Sequence, residues 1–571
     1  MVNRLGKLRA RIDRALFFAS VIRATKVASP VRPARLAKFV RGARQTKPGP
    51  HLAVMFQAAA HPDKEAIVEY GEPVAAGTMS GMTASSGRSR VRRMTWGELD
   101  ATINRLANAL AARGVHGGSR VALMLPNGRE YLIAQQALAR MGAVAVQIGY
   151  RLKPGEIAFI LGNSQPVATV VSGPYLDAMR AARAQIAHTS PMIVCDGTRD
   201  DDAEEWDRAL AAAAPDVPPR TRGGDGGGVI VYTSGTTGKP KGATRNWRKT
   251  GFESVADMIL QCGMRADDRH LVVCPLYHSA APAFVAIMQS LGATCVLQNH
   301  WDPERALEII QHERITCSVM VPTMLVRICA LPPETLAKYD TSSLRWVMSA
   351  AAPLTTDAAR RFMERFGPVL WNFYGATETG LVTLAGPRDH VARAGTIGRA
   401  MRGNDIRLLG EDGREVPRGQ VGELYVRNST LMSGYHGNDE ATNDAQREGF
   451  YSVGDMARVD ADGYYFLESR KHDMVISGGV NIYPREIEDH LQTHPAILEA
   501  AVIGVPDPDW GESLRAFVVV RSGAQLDEAD VIDYCRKELA DYKRPRKVTF
   551  LAELPRNPTG KVLKRELREL P

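Results

Sequence analysis

Paired cysteines are missing from this 571-residue chain. Its seven cysteines (Cys195, Cys262, Cys274, Cys295, Cys317, Cys329 and Cys535) are odd in number, scattered and never spaced as CxxC, which excludes a disulfide framework and a thiolate zinc site. A reducing, cytoplasmic compartment is expected, with the thiols as small core residues. Long apolar runs are missing too. The longest in the first fifty residues, 15–22, is closed by Arg14 and Arg23, too short to span a bilayer, and no clear small-residue cleavage site marks a secretory leader. Acidic residues are almost absent from residues 1–50, where Asp13 stands alone among 13 Lys and Arg. The other 59 basic and 62 acidic residues leave the rest of the chain at −3, so the formal charge of +9 belongs to an arm. The body therefore has no electrostatic footprint for nucleic acid.

Apolar residues at 44% and charged residues at 24% describe an ordinary folded enzyme, and the length calls for at least two domains. In the arm, Leu5, Leu8, Ile12, Leu16 and Ala19 share one helical stripe and Lys7, Arg11 and Arg14 the opposite one, with Arg9 and Phe18 out of pattern. A cationic amphipathic helix over residues 1–26 suits the inner face of an anionic membrane; a solvated tail is the alternative. From His51 onward helix-spaced and strand-like patterns alternate. Leu99, Ile103, Leu106 and Leu110 precede the run 121–125, and a further helical pattern precedes 143–148. Such alternation predicts an α/β fold with parallel-rich sheets covered by helices. Residues 75–90, rich in Gly, Ser and Thr, read as a surface loop between two hairpin strands, and 229–232 as a strand behind the glycines 223–228. No internal repeat is present.

Directly after that strand comes YTSGTTGKPKG, residues 232–242. Gly235, Gly238 and Gly242 let backbone approach phosphate oxygens, the hydroxyls of Thr233, Ser234, Thr236 and Thr237 can donate to them, and Lys239 and Lys241 bring charge. This is a phosphate cradle. It is not a Walker loop, because Gly235 and Gly238 stand too close and no hydroxyl residue follows Lys239.

Together with SAAAPL (349–354), WNFYGATETG (371–380), VGDMARVDADGYYFLESRKHD (453–473) and LPRNPTGKVLKREL (554–567), the cradle resembles the adenylate-forming superfamily of acyl-CoA synthetases, peptide synthetase adenylation domains and firefly luciferase. The resemblance covers residues 51–571 and is nearest to fatty acyl-CoA synthetases. It implies a large N-terminal domain, 51–470, and a smaller mobile α+β lid, 471–571, behind the arm 1–50. It also implies that Ala351, Ala352, Tyr374 and Gly375 surround adenine, that Thr377 and Glu378 approach phosphate and Mg²⁺, and that Asp455 and Arg470 bind ribose or phosphate. Lys561 takes the place of the catalytic lysine, His472 the hinge, Gly478 and Gly479 the path of coenzyme A, and Tyr277 and His278 the gate of the acyl pocket. ATP, Mg²⁺ and coenzyme A are the expected cofactors and co-substrates.

Three positions depart from the family pattern: His472 for Asp or Lys, Val453 for Thr, and Ala350 for Gly. None removes a charged catalytic group, and His472 introduces a titratable hinge. Residues 281–330 are mostly small and apolar with no obvious fixed charge for a second polar group on the substrate, which favours a small-molecule hydrophobic acid. Medium to long chain fatty acids lead, and a steroid side-chain acid or an aryl acid follows. The competing classes are an acyl-AMP ligase loading a carrier protein, a lipid-binding protein with vestigial chemistry, and a luciferase-type monooxygenase. Monomer and homodimer both remain open.

Overall fold

The computed structural model describes residues 17, 19–27, 31–73, 89–188, 190–219, 227–233, 240–247, 251–477, 480–557 and 560–571. The chain divides into two compact units that interleave in sequence: Met1–Val319, Pro332–Val347 and Ser429–Asp444 form the first, and Met320–Leu331, Met348–Asn428 and Ala445–Pro571 the second. Among the described residues no helix is long and apolar enough to cross a membrane.

In the first unit the expected alternation is realised element by element. Thr95 caps helix Trp96–Ala112 through a reciprocal bond with Glu98, and the helix buries Leu99, Ile103, Leu106 and Leu110. Strand Arg120–Met124, helix Arg129–Met141 and strand Val144–Gln147 follow. These strands lie parallel, Val121 opposite Ala145, in an eight-stranded sheet in which Ala168–Ser172 and Gly228–Thr233 are also parallel members. Their side chains are almost all buried, as strands covered on both faces require. Strand Gly228–Thr233 then pairs antiparallel with Lys241–Asn246, Thr233 opposite Lys241, so the segment between them joins two neighbouring strands at one end of the sheet. Strands Glu65–Pro73 and Ser89–Thr95 pair antiparallel as anticipated; the loop expected over 75–90 lies largely outside the described residues.

The arm is not detached along its whole length. Helix Pro33–Gln45 packs on helix His51–Ala60, with Phe39 edge-on to Phe56 at 5.7 Å and Gly42 buried. Residues 19–25 are helical and end on the body, where Thr25 is buried and its carbonyl accepts from the Ala266 amide at 2.9 Å. A solvated tail does not describe these residues. The stripe expected over 5–19 falls mostly on residues outside the description.

The second unit contains an antiparallel run in the order Asp405–Leu409, Gly422–Arg427, Phe450–Val459, Tyr465–Arg470, Thr396–Ala400, Gly380–Ala385, Leu370–Ala376. Its C-terminal part is a five-stranded sheet built on Ile497–Asp507 and Gly511–Val520. Side chains alternate across that sheet. Val502, Ala516 and Val518 meet helices Pro484–Gln492 and Glu528–Glu538 through Ile487, Leu491, Val531 and Cys535, while Ile503, Phe517 and Val519 meet Leu554 and Leu567 on the other face. With both faces covered, the segment carrying Leu554 and Leu567 is held at two points on either side of residues 557–561.

Candidate active site

Four of the residues singled out from sequence converge in the second unit. Asp455 and Arg470 stand opposite each other on the antiparallel strands Phe450–Val459 and Tyr465–Arg470, and Arg470 Nε lies 3.3 Å from Asp455 Oδ1. Tyr374, on strand Leu370–Ala376, donates its hydroxyl to Asp455 Oδ2 at 2.7 Å. Burial and the Asp455 carboxylate push the Tyr374 phenol well above its ordinary value, so it acts here as a fixed donor. Each Asp455 oxygen still has a lone pair for a further donor, such as a ribose hydroxyl.

Lys561 joins them from the far end of the chain. Its amide donates to Asn557 Oδ1 at 2.9 Å and its carbonyl accepts from the Asn557 amide at 2.9 Å, which closes the turn. Arg556 spans the same turn to the Gly560 carbonyl at 2.5 Å and is anchored by Glu499 at 2.6 Å. Burial, and then the positive charge of Arg470, lower the Lys561 ammonium to about 8, with Asp455 and Asp473 opposing the shift. A lysine so placed is still mostly charged at neutral pH and close to releasing its proton.

His472 and Asp473 follow Arg470 in a short 3₁₀ turn, His472 Nε2 3.8 Å from Asp473 Oδ2. Burial lowers the His472 imidazole from its ordinary value, with Arg470, Lys561 and Arg568 acting in the same direction against Asp473, so its change of charge lies further toward acid than that of a free histidine.

Thr377 and Glu378 occupy the turn after Leu370–Ala376, where the Ala376 amide donates to Thr379 Oγ1 at 3.0 Å and Glu378 is buried. Gly375 admits no side chain: a Cβ there would overlap the Gly380 carbonyl. One carboxylate beside one hydroxyl is a donor set that fits Mg²⁺ once phosphate supplies further oxygens. Among the described residues no group of three or more His, Cys, Asp and Glu could hold a metal ion. Ala351 and Ala352 follow strand Trp346–Ser349, and Ala351 adopts a left-handed φ of 70°, a conformation costly for a residue with a Cβ.

The first unit carries the remaining candidates. Thr233 ends its strand with Oγ1 3.4 Å from the Lys241 carbonyl, and Lys241 lies over the Tyr435 ring at 5.4 Å. Ser234, Gly235, Thr236, Thr237, Gly238 and Lys239 lie outside the described residues, as do Gly478 and Gly479 of the second unit, whose flanking strands pair Ser477 with Val480. Tyr277 is buried and His278 half-buried, their rings 4.2 Å apart, beside Tyr150, whose ring meets Tyr277 edge-on at 5.2 Å and Tyr175 face-on at 5.0 Å. Among the described residues the Tyr277 hydroxyl and His278 Nε2 meet no hydrogen-bond partner. Burial, reinforced by Arg151, lowers His278 to about 4, so its ring is a neutral polar group in an aromatic setting.

Sequence reasoning passed over Asn557 and Arg556, which close the turn that carries Lys561, and over the hydroxyl of Tyr374 as the group that orients Asp455. Asn557 carried a signal, because Asn-Pro-Thr-Gly is turn chemistry. The others depend on pairing between distant strands and had none.

Comparison with known proteins places these residues in context. The model for "AMP-binding enzyme" matches residues 55–436, and that for "AMP-binding enzyme C-terminal domain" matches residues 486–561. A feruloyl-CoA synthase of Amycolatopsis is 37% identical over 83% of this chain and 93% of its own length. The long-chain-fatty-acid–CoA ligase FadD13 of Mycobacterium tuberculosis is 35% identical over 84% of this chain and 93% of that protein. Among solved structures, the amide bond synthetase McbA of Marinactinospora thermotolerans superposes with a TM-score of 0.80 at 28% identity, over 91% of this chain and 98% of its own.

Proposed function

Since this chain belongs to the AMP-binding enzyme family, among its acyl- and aryl-CoA ligases, we propose that it joins a hydrophobic carboxylic acid to coenzyme A through an acyl adenylate. In the first half-reaction a carboxylate oxygen attacks the α-phosphorus of ATP and pyrophosphate leaves. In the second, the coenzyme A sulfur attacks the acyl carbon and AMP leaves.

The observation that carries this reading is Lys561 brought into the electrostatic field of the Asp455–Arg470 pair. Asp455, oriented by Tyr374, accepts the ribose hydroxyls, and Arg470 steadies it from the other side. Lys561 neutralises charge that builds between the acid and the α-phosphate, and the closed turn 557–561 holds its backbone in place beforehand. Thr377 and Glu378 would hold Mg²⁺, which when bound would supply positive charge against the triphosphate. Residues 233–239 cradle the phosphates, Ala351 and Ala352 border the base, Gly478 and Gly479 leave room for the pantetheine arm, and His472 is the pivot between the two half-reactions.

A fatty acid of medium to long chain is the leading substrate, supported by the apolar, mostly uncharged stretch after His278 and by the likeness to the FadD13 ligase. An aryl acid is the second reading, favoured by the ring cluster Tyr150, Tyr175, Tyr277 and His278, whose unpartnered hydroxyl and imidazole nitrogen suit a ring bearing a polar substituent. A panel of alkanoic, cinnamic and indolic acids, assayed for pyrophosphate release with and without coenzyme A, separates them. Release with none of the three classes overturns the proposal, and adenylate without thioester formation assigns the acceptor to another thiol or an amine.

A further inference from the structure

We infer that Arg485 is a positioning residue for adenylate formation, tying the loop that borders the base to the helix against which the Lys561 turn is braced. The inference rests on the two half-reactions and the pivot proposed above. Two neighbouring side chains of helix Pro484–Gln492 make the tie. Arg485 Nη2 donates to the Leu354 carbonyl at 2.9 Å, and Leu354 ends the loop that carries Ala351 and Ala352. Glu488, one turn further along, receives Lys564 Nζ at 2.7 Å, and Lys564 stands three residues beyond Lys561. The same Glu488 oxygen accepts the Val502 amide at 2.8 Å, which seats the helix on the sheet beneath it.

The Leu354 carbonyl needs a donor from elsewhere in the chain. Helix Thr356–Phe366 begins just beyond it, and the amide that a continuing helix would offer is that of Ala358. Thr355 takes that amide on its hydroxyl at 3.3 Å, as the cap of the helix. Arg485 fills the gap with a side chain only 12% exposed, steadied by Asp489 at 3.3 Å, so little water competes for the bond. A second arginine meets the same stretch: Arg521 lies 3.7 Å from Asp357, which it shares with Arg360 and Arg361. Leu354 precedes His472 in the chain and Arg485 follows it, whereas Glu488 and Lys564 both follow it. Rotation about that pivot therefore breaks the bond to Leu354 and keeps the one to Lys564. The first belongs to the arrangement in which Lys561 stands in the field of Arg470 and Asp455, and a contact made in one arrangement alone favours one half-reaction alone.

The test measures the two half-reactions separately in the full-length enzyme, with an acid on which the wild type releases pyrophosphate. Arg485→Met keeps the alkyl stem and removes the donor. It is expected to lower kcat/KM for ATP in adenylate formation about ten-fold, the usual effect of losing one hydrogen bond from a charged donor. Thioester formation from supplied acyl-AMP should stay at the wild-type level in the same variant, which also shows that it folds. Arg485→Lys, which restores a cationic donor, should recover most of the loss. Wild-type adenylation by Arg485→Met, equal losses in both half-reactions, or a loss that Arg485→Lys does not relieve would each overturn the role of Arg485. A wild-type enzyme that exchanges no pyrophosphate with any acid would instead overturn the proposed reaction itself, so the two failures are told apart.

Discussion

The chemistry at the scale of single residues turns on charge held at the Asp455, Arg470 and Lys561 cluster. Lys561→Ala is expected to slow adenylate formation by about 10² to 10³, the usual cost of deleting one preorganised charge-stabilising group. Thioester formation from supplied acyl-AMP should persist, and single-turnover assays of the two steps check the difference; equal loss in both would contradict the role. The lowering of Lys561 to about 8 sets a pH limit in the free enzyme. The protonated form is the active one, so kcat/KM for adenylation should fall as pH rises through about 8, and that limb should vanish in Lys561→Arg, which keeps its charge. Tyr374→Phe removes a hydrogen-bond donor to Asp455 while leaving the ring in place. A hydrogen bond to a charged group is worth about 1.5 kcal/mol or more, so KM for ATP should rise roughly ten-fold with little change in the acid dependence. Lys561, Asp455 and Tyr374 were singled out through the family resemblance of their motifs, and the structure brings them together. The bond from Tyr374 to Asp455 was not legible, because it joins two strands distant in sequence.

Among the elements, the turn that carries Lys561 is the one most exposed to a backbone test. Gly560 has a φ of 80°, and a Cβ there would stand 2.7 Å from Thr323 Oγ1. Gly560→Ala should strain the turn by about 1–2 kcal/mol and shift the lysine, lowering adenylation at least ten-fold with little loss of thermal stability. Paired activity and melting measurements check this; full adenylation activity would show that the turn does not set the lysine's position. Parallel strands such as 121–124 and 144–147 were readable as apolar runs alternating with amphipathic helices, since local pattern and burial agree there. Helix Pro33–Gln45 was not read from the sequence, where its few apolar residues are interspersed with Arg35, Lys38, Arg41 and Arg44. Neither the pairing of Ile497–Asp507 with Gly511–Val520 nor the parallel addition of Lys547–Phe550 to the same sheet was read from the sequence, the second because it joins strands far apart in the chain.

For the molecule as a whole, the compact units cut across chain order, with 320–331 grouped with the C-terminal segments and 429–444 with the N-terminal ones. Such exchanges leave no trace in local pattern. The resemblance supplied what periodicity could not, namely the expectation that widely separated motifs serve one nucleotide. The proposed pivot is testable at this scale: burial lowers the His472 imidazole, so in Lys561→Arg, which removes the lysine's own limb, the ratio of thioester to adenylate rates should be flat at neutral pH and change only toward acid, as a positive charge appears beside Arg470. His472→Gln should remove that change, and a ratio that still shifts in the variant would exclude the histidine as its source. The central claim, that this protein activates a carboxylate at the α-phosphate of ATP, is tested most directly by isotope exchange between pyrophosphate and ATP with magnesium and a panel of hydrophobic acids, coenzyme A omitted. The account predicts acid-dependent exchange that is lost in Lys561→Ala; no exchange with any acid, or exchange indifferent to that substitution, would contradict it.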